Sequence, residues 1–145
     1  MKSRTNLKIK ILLIEDSGFH LLIKARVNGR VATLLVDTGA SRTVFDRNRM
    51  SRFTGENKFN PVEQRSTGLG TTEMETQSTV LKKVRLGDLE LFDLEIMVID
   101  LSHVNETYSF LKLPAIDGVL GSDLLEKYKA VIDYQKKELR LRWQP

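Results

Sequence analysis

Leu34-Leu35-Val36-Asp37-Thr38-Gly39-Ala40-Ser41 is the stretch on which the reading of this chain turns. An apolar run stops on an acid, and a hydroxyl residue, a glycine and two more small residues follow. That order suits a buried strand that delivers one carboxylate into a tight turn. Gly39 permits backbone angles or a close approach that a side chain would block. Thr38 offers a hydroxyl to the surrounding hydrogen bonds. Asp, Thr and Gly are each common in turns, so the tripeptide alone carries little; the string after an apolar strand carries much more.

Working outward, Val31 to Val36 reads as the strand that leads into Asp37. Phe19 to Val27 reads as the strand before it, joined through Asn28-Gly29, a strong hairpin signal. Leu7 to Ile14 reads as a first strand, closed by a Glu15-Asp16-Ser17-Gly18 turn. Val44 to Phe59 predicts a short helix or an irregular loop. Glu63 to Thr79 is polar without a hydrophobic period and has Gly68-Leu69-Gly70 near its centre, as an exposed hairpin with a glycine tip would. Val80 to Leu86 and Leu89 to Ile99 predict strands around Gly87-Asp88, and Leu101 to Ala115 predicts a loop. Ile116 to Gly121 is a short apolar segment. Ser122 or Asp123 can cap a short helix through Tyr128, with Glu126 set for a capping box if Asp123 leads. Ala130 to Tyr134 and Glu138 to Trp143 predict a closing hairpin. Short apolar runs between turn signals describe an all-β barrel or sandwich.

The 145 residues suit one domain over 1–145. The chain has no cysteine, which excludes disulfides and thiolate metal sites and fits a reducing compartment. The net charge is +4, mild and spread along the chain. The basic start and Ile11-Leu12-Leu13-Ile14 look like a signal peptide, but the apolar run is too short and Glu15-Asp16 ends it. No run reaches the length of a membrane-spanning helix, so a cytoplasmic location is expected, or a periplasmic or secreted one if the chain is part of something longer. His20 and His103 are isolated and lack metal-ligand spacing; no metal or cofactor is expected. Arg47, Arg49 and Arg52, with Lys58 beyond, read as a solvated helix face, with contacts to an acidic substrate or nucleic acid as the alternative. Gly68-Leu69-Gly70 lacks the Lys-Ser/Thr that would make a phosphate loop.

The Asp37 segment resembles the active-site segment of aspartic proteases, whose pattern is apolar-apolar-Asp-Thr-Gly-Ala/Ser-Ser/Thr/Asp. Ile116-Asp117-Gly118-Val119-Leu120-Gly121-Ser122-Asp123-Leu124-Leu125 carries the second half of the resemblance, an apolar-apolar-Gly element followed by a short helix. The spacing is similar to that of single-domain retroviral-type members, the retropepsins, and their bacterial relatives. The resemblance implies a closed β-barrel-like retropepsin fold with one short C-terminal helix and a flap hairpin. It implies that Asp37 is catalytic and that Thr38 and Gly39 hold its turn. Ala40 and Ser41 would line the cleft, Gly68, Leu69 and Gly70 would form the flap, and Val119 and Leu120 would wall the pocket.

Peptide hydrolysis in that family needs two carboxylates, and this chain has one such turn. Asp16-Ser17-Gly18 is the only other Asp-Ser/Thr-Gly string, lies 21 residues before Asp37 and reads as a hairpin turn. A symmetric homodimer with one Asp37 from each subunit is therefore implied. The function expected is aspartic endopeptidase action on peptide or protein substrates, with a catalytically weak or inactive peptide-binding or dimerisation module as the alternative. A basic barrel that binds nucleic acid is a weaker reading, because clustered aromatics for base stacking are lacking. Ser41 and Ser122 depart from the Asp and Arg that many retroviral members carry there, so interface details do not transfer.

Overall fold

The computed structural model describes residues 3–14, 18–55, 60–61 and 77–145. Gly68, Leu69 and Gly70 of the expected flap, and Asp16-Ser17, lie outside the described residues. The strands are β1 (Arg4–Lys8), β2 (Lys10–Leu13), β3 (Phe19–Val27), β4 (Arg30–Val36), β5 (Val44–Asp46), β6 (Asn60–Pro61), β7 (Gln77–Leu86), β8 (Leu89–Ile99), β9 (Gly118–Leu120), β10 (Val131–Asp133) and β11 (Glu138–Arg142). Among the described residues, three α-helices accompany them: α1 (Ser51–Thr54), α2 (Ser102–Phe110) and α3 (Ser122–Lys127).

Six strands, in the order β3-β4-β9-β5-β8-β7, close into a barrel when β7 pairs back onto β3 through Arg26↔Arg85 and Val27↔Val84. Closure removes the open edges that a sheet would otherwise expose. The alternation along β3 fills the interior: Ile23, Ala25 and Val27 are at most 3% exposed, whereas Lys24 and Arg26 face out. Leu34, Leu81, Val84, Ile96, Val98 and Leu120 complete that interior from the facing strands. At its turn, the β3–β4 hairpin places Asn28 and Gly29 at φ 50 and 85, the left-handed pair that Asn-Gly supplies at low strain.

Two expectations fail in informative ways. The strand predicted over Leu7 to Ile14 is broken at Ile9, whose N–H goes to Lys137 O at 2.8 Å. The residues before it join a separate sheet, β1-β11-β10, and those after it pair with β3. The loop predicted over Leu101 to Ala115 contains α2. Leu101, Val104, Tyr108 and Leu111 fall three, four and three residues apart, on one helical face, and pack into a second apolar cluster with Leu12, Leu22, Ile116 and Val119. This cluster covers the outer face of the strands beside Asp37.

Polar side chains fix α2 to the barrel. The buried Asp46 accepts hydrogen bonds from the Asn48 and Leu101 N–H groups, both at 3.1 Å, and from Asn105 Nδ2 at 3.1 Å. The exposed Asp100 accepts the Ser102 N–H at 2.9 Å and Asn48 Nδ2 at 2.8 Å. Hydrogen bonds from Ser102 first, and then Asn48, hold the Asp100 carboxyl below its usual range. A depressed folded pKa stabilises above the ordinary value and is lost as pH falls through the lower one. Amide exchange at the start of α2 is therefore expected to accelerate only in strong acid, and Asp100→Asn is expected to remove that step. An identical exchange profile in the two proteins would contradict this assignment. Among the described residues, no helix is long and apolar enough to cross a membrane.

Candidate active site

Strand β4 ends on Val36, and the chain turns at once. The Asp37 N–H still bonds across to Leu120 O at 3.0 Å, the Ala40 N–H closes the turn on Asp37 O at 3.2 Å, and the Gly39 N–H points at Asp37 Oδ1 at 2.9 Å. A Cβ at Gly39 would sit 3.3 Å from that carboxylate oxygen, so the glycine keeps the approach open. Asp37, Thr38 and Gly39 are exposed, on a strand whose preceding residues are packed. The result is a carboxylate presented to solvent at the rim of the barrel by a packed, hydrogen-bonded strand end.

The support comes from the second apolar segment. Strand β9 runs parallel to β4 with Leu34↔Gly118, Leu35↔Val119 and Val36↔Leu120 in register, and antiparallel to β5 on its other side. After β9 the chain turns at Gly121 and closes on the Asp37 loop. The Ser122 N–H bonds Ala40 O at 2.7 Å, and the Gly121 N–H bonds Thr43 Oγ1 at 3.0 Å. The buried Thr43 hydroxyl donates to Asp123 Oδ1 at 2.7 Å, and its N–H bonds Asp123 Oδ2 at 3.0 Å. Thr43 thus joins both halves of the site.

Residues 23–124 match the family model for aspartyl proteases, a span that holds both the Asp37 turn and the Gly121 corner. The chain belongs to the aspartyl protease family. Its fold is similar to that of a retropepsin-like aspartic protease from Rickettsia conorii, with TM-score 0.59, 23% identity, and 99% of this chain and 97% of that one covered. It is also similar to the retroviral protease-like domain of Ddi1 from Leishmania major, with TM-score 0.56, 16% identity and coverage of 87% and 94%. No curated protein matches the chain. The closed barrel and these neighbours bear out the retropepsin-like, mostly β fold.

Within this aspartyl protease turn, Ala40 is half-buried and Ser41 is exposed. Val119 lies in the second apolar cluster beneath α2, at 7% exposure. Leu120 is 1% exposed in the barrel core, so its side chain packs the interior and its backbone oxygen anchors Asp37. The expected side-chain cap of the short helix is absent: Gly121 takes that position, and Asp123 instead holds Thr43. His20 is tied down, with Nδ1 at 2.7 Å from the hydroxyl of the buried Tyr108. Burial pushes the Tyr108 hydroxyl pKa up. Among the described residues, no group of three or more His, Asp or Glu is arranged to hold a metal ion.

The basic patch is an ion-pair cluster on a buried acid. Arg49 and Arg52, read from the sequence as a solvated face, converge on the buried Asp117. Arg49 Nε and Arg52 Nη1 lie 2.7 and 2.6 Å from Asp117 Oδ1, and the Thr33 N–H bonds Oδ2 at 2.8 Å. Asp117 immediately precedes β9, and Thr33 lies on β4, so this carboxylate ties α1 and its preceding turn to the two strands that carry the site. An acid one residue ahead of a buried strand, with arginines far off in sequence, was the available signal. Asp117→Ala is expected to destabilise the fold by about 3 kcal/mol, because it leaves both guanidinium groups and a buried N–H without their acceptor. Urea unfolding checks this, and an unchanged midpoint would contradict it.

Proposed function

We propose that the chain is an aspartic endopeptidase that works as a homodimer, with one Asp37 from each subunit. The observation that carries this reading is a single exposed carboxylate on a turn clamped from two sides. In aspartic proteases as a class, two carboxylates about 3 Å apart share one proton. The ionised member takes a proton from water as the water oxygen bonds the scissile carbonyl carbon. The protonated member gives its proton to the carbonyl oxygen. The tetrahedral intermediate then collapses: the C–N bond breaks, the nitrogen gains a proton and the carboxyl product forms. Thr38 bonds across the dimer, Ala40 and Ser41 line the cleft, Val119 backs the pocket from below, and Gly68, Leu69 and Gly70 close over the substrate. Substrates are extended peptides held by strand-like main-chain hydrogen bonds. A cysteine-free chain suits a reducing compartment such as the cytoplasm.

The dimer surface follows from the same end of the barrel. Leu13 and Phe19 are cross-strand partners, 64% and 63% exposed, two register steps beyond the Leu21↔Val36 pair that leads to Asp37. Paired apolar side chains left in water beside an incomplete site favour burial against a second copy. Phe19→Glu is expected to raise the dimer dissociation constant at least about tenfold, since it places a charge where an aromatic ring would be buried. Sedimentation equilibrium checks this, and an unchanged constant would contradict this placement of the interface.

A diverse peptide library, incubated with wild type and with Asp37→Asn and read by mass spectrometry, tests the activity. Cuts from the wild type alone are expected. No cuts from a proven wild-type dimer would favour a peptide-binding or dimerisation module.

A further inference from the structure

A second concavity lies away from the Asp37 turn and differs from it in character. It is a groove of about 710 Å³ between the outer face of β2–β4 and the turn that joins β10 to β11. Lys8, Lys10, Lys24, Lys136 and Lys137 line it, all exposed. Glu138, opposite Lys8 in the β1–β11 register, is the one acid in the lining. None of the five lysines is within ion-pair distance of a carboxylate among the described residues. Lysine stems, Ile11 and Pro114 give the walls apolar surface between the charges.

A strand edge runs beside this groove. Among the described residues, β2 is the last strand of its sheet, paired on one side only, with β3. The Ile14 N–H bonds Gly18 O, which sets the alternation of the ladder: Leu12 and Lys10 exchange hydrogen bonds with β3, and Ile11 and Leu13 turn theirs away. The outward N–H and C=O groups of Ile11, which lines the groove, have no partner among the described residues. Lys24 Nζ donates to Thr33 Oγ1 at 2.6 Å, and none of the five lysines has a carboxylate partner among the described residues. Free main-chain donors and acceptors beside lysines without a carboxylate match an extended peptide that carries carboxylates on alternate residues. Nucleic acid fits less well, because no aromatic or arginine side chain in the lining offers a stacking surface.

We infer that this lysine-lined groove is an exosite that binds an acidic, extended segment of a protein substrate as an added strand along β2. This deepens the proposed peptidase reading and rests on it for the word substrate; the binding itself does not. Thr33, in the groove lining, lies four residues before Asp37 on β4, roughly 13 Å along the strand. A substrate held in the groove therefore raises its effective concentration at the cleft, with no new contact there.

Fluorescence anisotropy with a labelled peptide of alternating Glu and Val tests the inference. The Asp37→Asn protein serves as host, so the readout does not depend on catalysis. Expected are binding that weakens steeply with salt, at least about tenfold weaker binding for Lys10→Glu with Lys136→Glu, and little binding of an alternating Gln and Val peptide. In an active background, the double variant is expected to cut a short neutral substrate at the wild-type rate and to lose only the advantage of an acidic extension. Equal affinity in the double variant, equal binding of the neutral peptide, tighter binding of a uridine oligonucleotide, or self-association abolished by the double variant would each overturn it. Tight, lysine-dependent binding with no cleavage by wild type would sink the peptidase reading and leave the groove assignment standing.

Discussion

Asp37→Asn is expected to lower peptide hydrolysis by roughly a thousandfold or more, with the fold intact, since the proposed function gives Asp37 the proton transfer. Asparagine keeps the size of aspartate, and its Oδ1 can still accept the Gly39 N–H that Asp37 Oδ1 accepts at 2.9 Å. The Asp37 main-chain bonds to Leu120 and Ala40 do not involve the side chain at all. What asparagine lacks is a basic oxygen that can take the proton of water. The measurement is kcat/KM beside the thermal unfolding midpoint. A lost rate with an unchanged midpoint supports the account. Wild-type turnover in the folded variant would remove Asp37 from the chemistry.

Gly121→Ala is expected to have the second-largest effect, and on stability and rate together. Gly121 has φ −96 and ψ 178, extended backbone that any residue adopts, so strain in the dihedrals is not the reason. The reason is contact. A Cβ there would lie 2.6 Å from both the carbonyl carbon and oxygen of Arg42, and 2.9 Å from Ala40 O. All three are main-chain atoms of the loop after Asp37, and none can rotate aside. The Gly121 corner must move away from that loop, at the expense of the Ser122–Ala40 and Gly121–Thr43 hydrogen bonds. Overpacking of this kind costs about 3 kcal/mol, and, on the proposed function, displacement of the Asp37 loop by about an ångström is expected to cost roughly a hundredfold in rate. Wild-type stability in the alanine variant would show that the corner yields more easily than its geometry implies.

How far the sequence carried the reading depends on the range of each interaction. The Asp37 turn and the Asn28-Gly29 hairpin were legible because their chemistry is local: a few consecutive residues set the backbone. The barrel strands β3, β4, β7 and β8 were legible from alternation; β5, inside a span read as a short helix or loop, and β9, buried at every residue, were not. The break at Ile9 was not, because an apolar residue reads alike on either side of a change of sheet. The helix α2 was hidden by a polar sequence in which Val104 and Tyr108 are the main apolar anchors between Leu101 and Leu111. Asp117 with Arg49 and Arg52, and Thr43 with Asp123, were out of reach for a different reason. Their partners lie 65 to 80 residues away, and only the folded chain brings them together.

The account rests on two Asp37 side chains, from two copies, that form one site. Subunit mixing measures this directly. Wild type is combined with an excess of Asp37→Asn protein at constant total concentration, allowed to exchange, and assayed on one peptide. If the site needs both carboxylates, the rate per wild-type subunit falls in proportion to the wild-type fraction, because only dimers of two wild-type subunits turn over. A rate per wild-type subunit that stays constant across the series, with mixed dimers shown to form, would mean that one Asp37 suffices and would contradict the shared site.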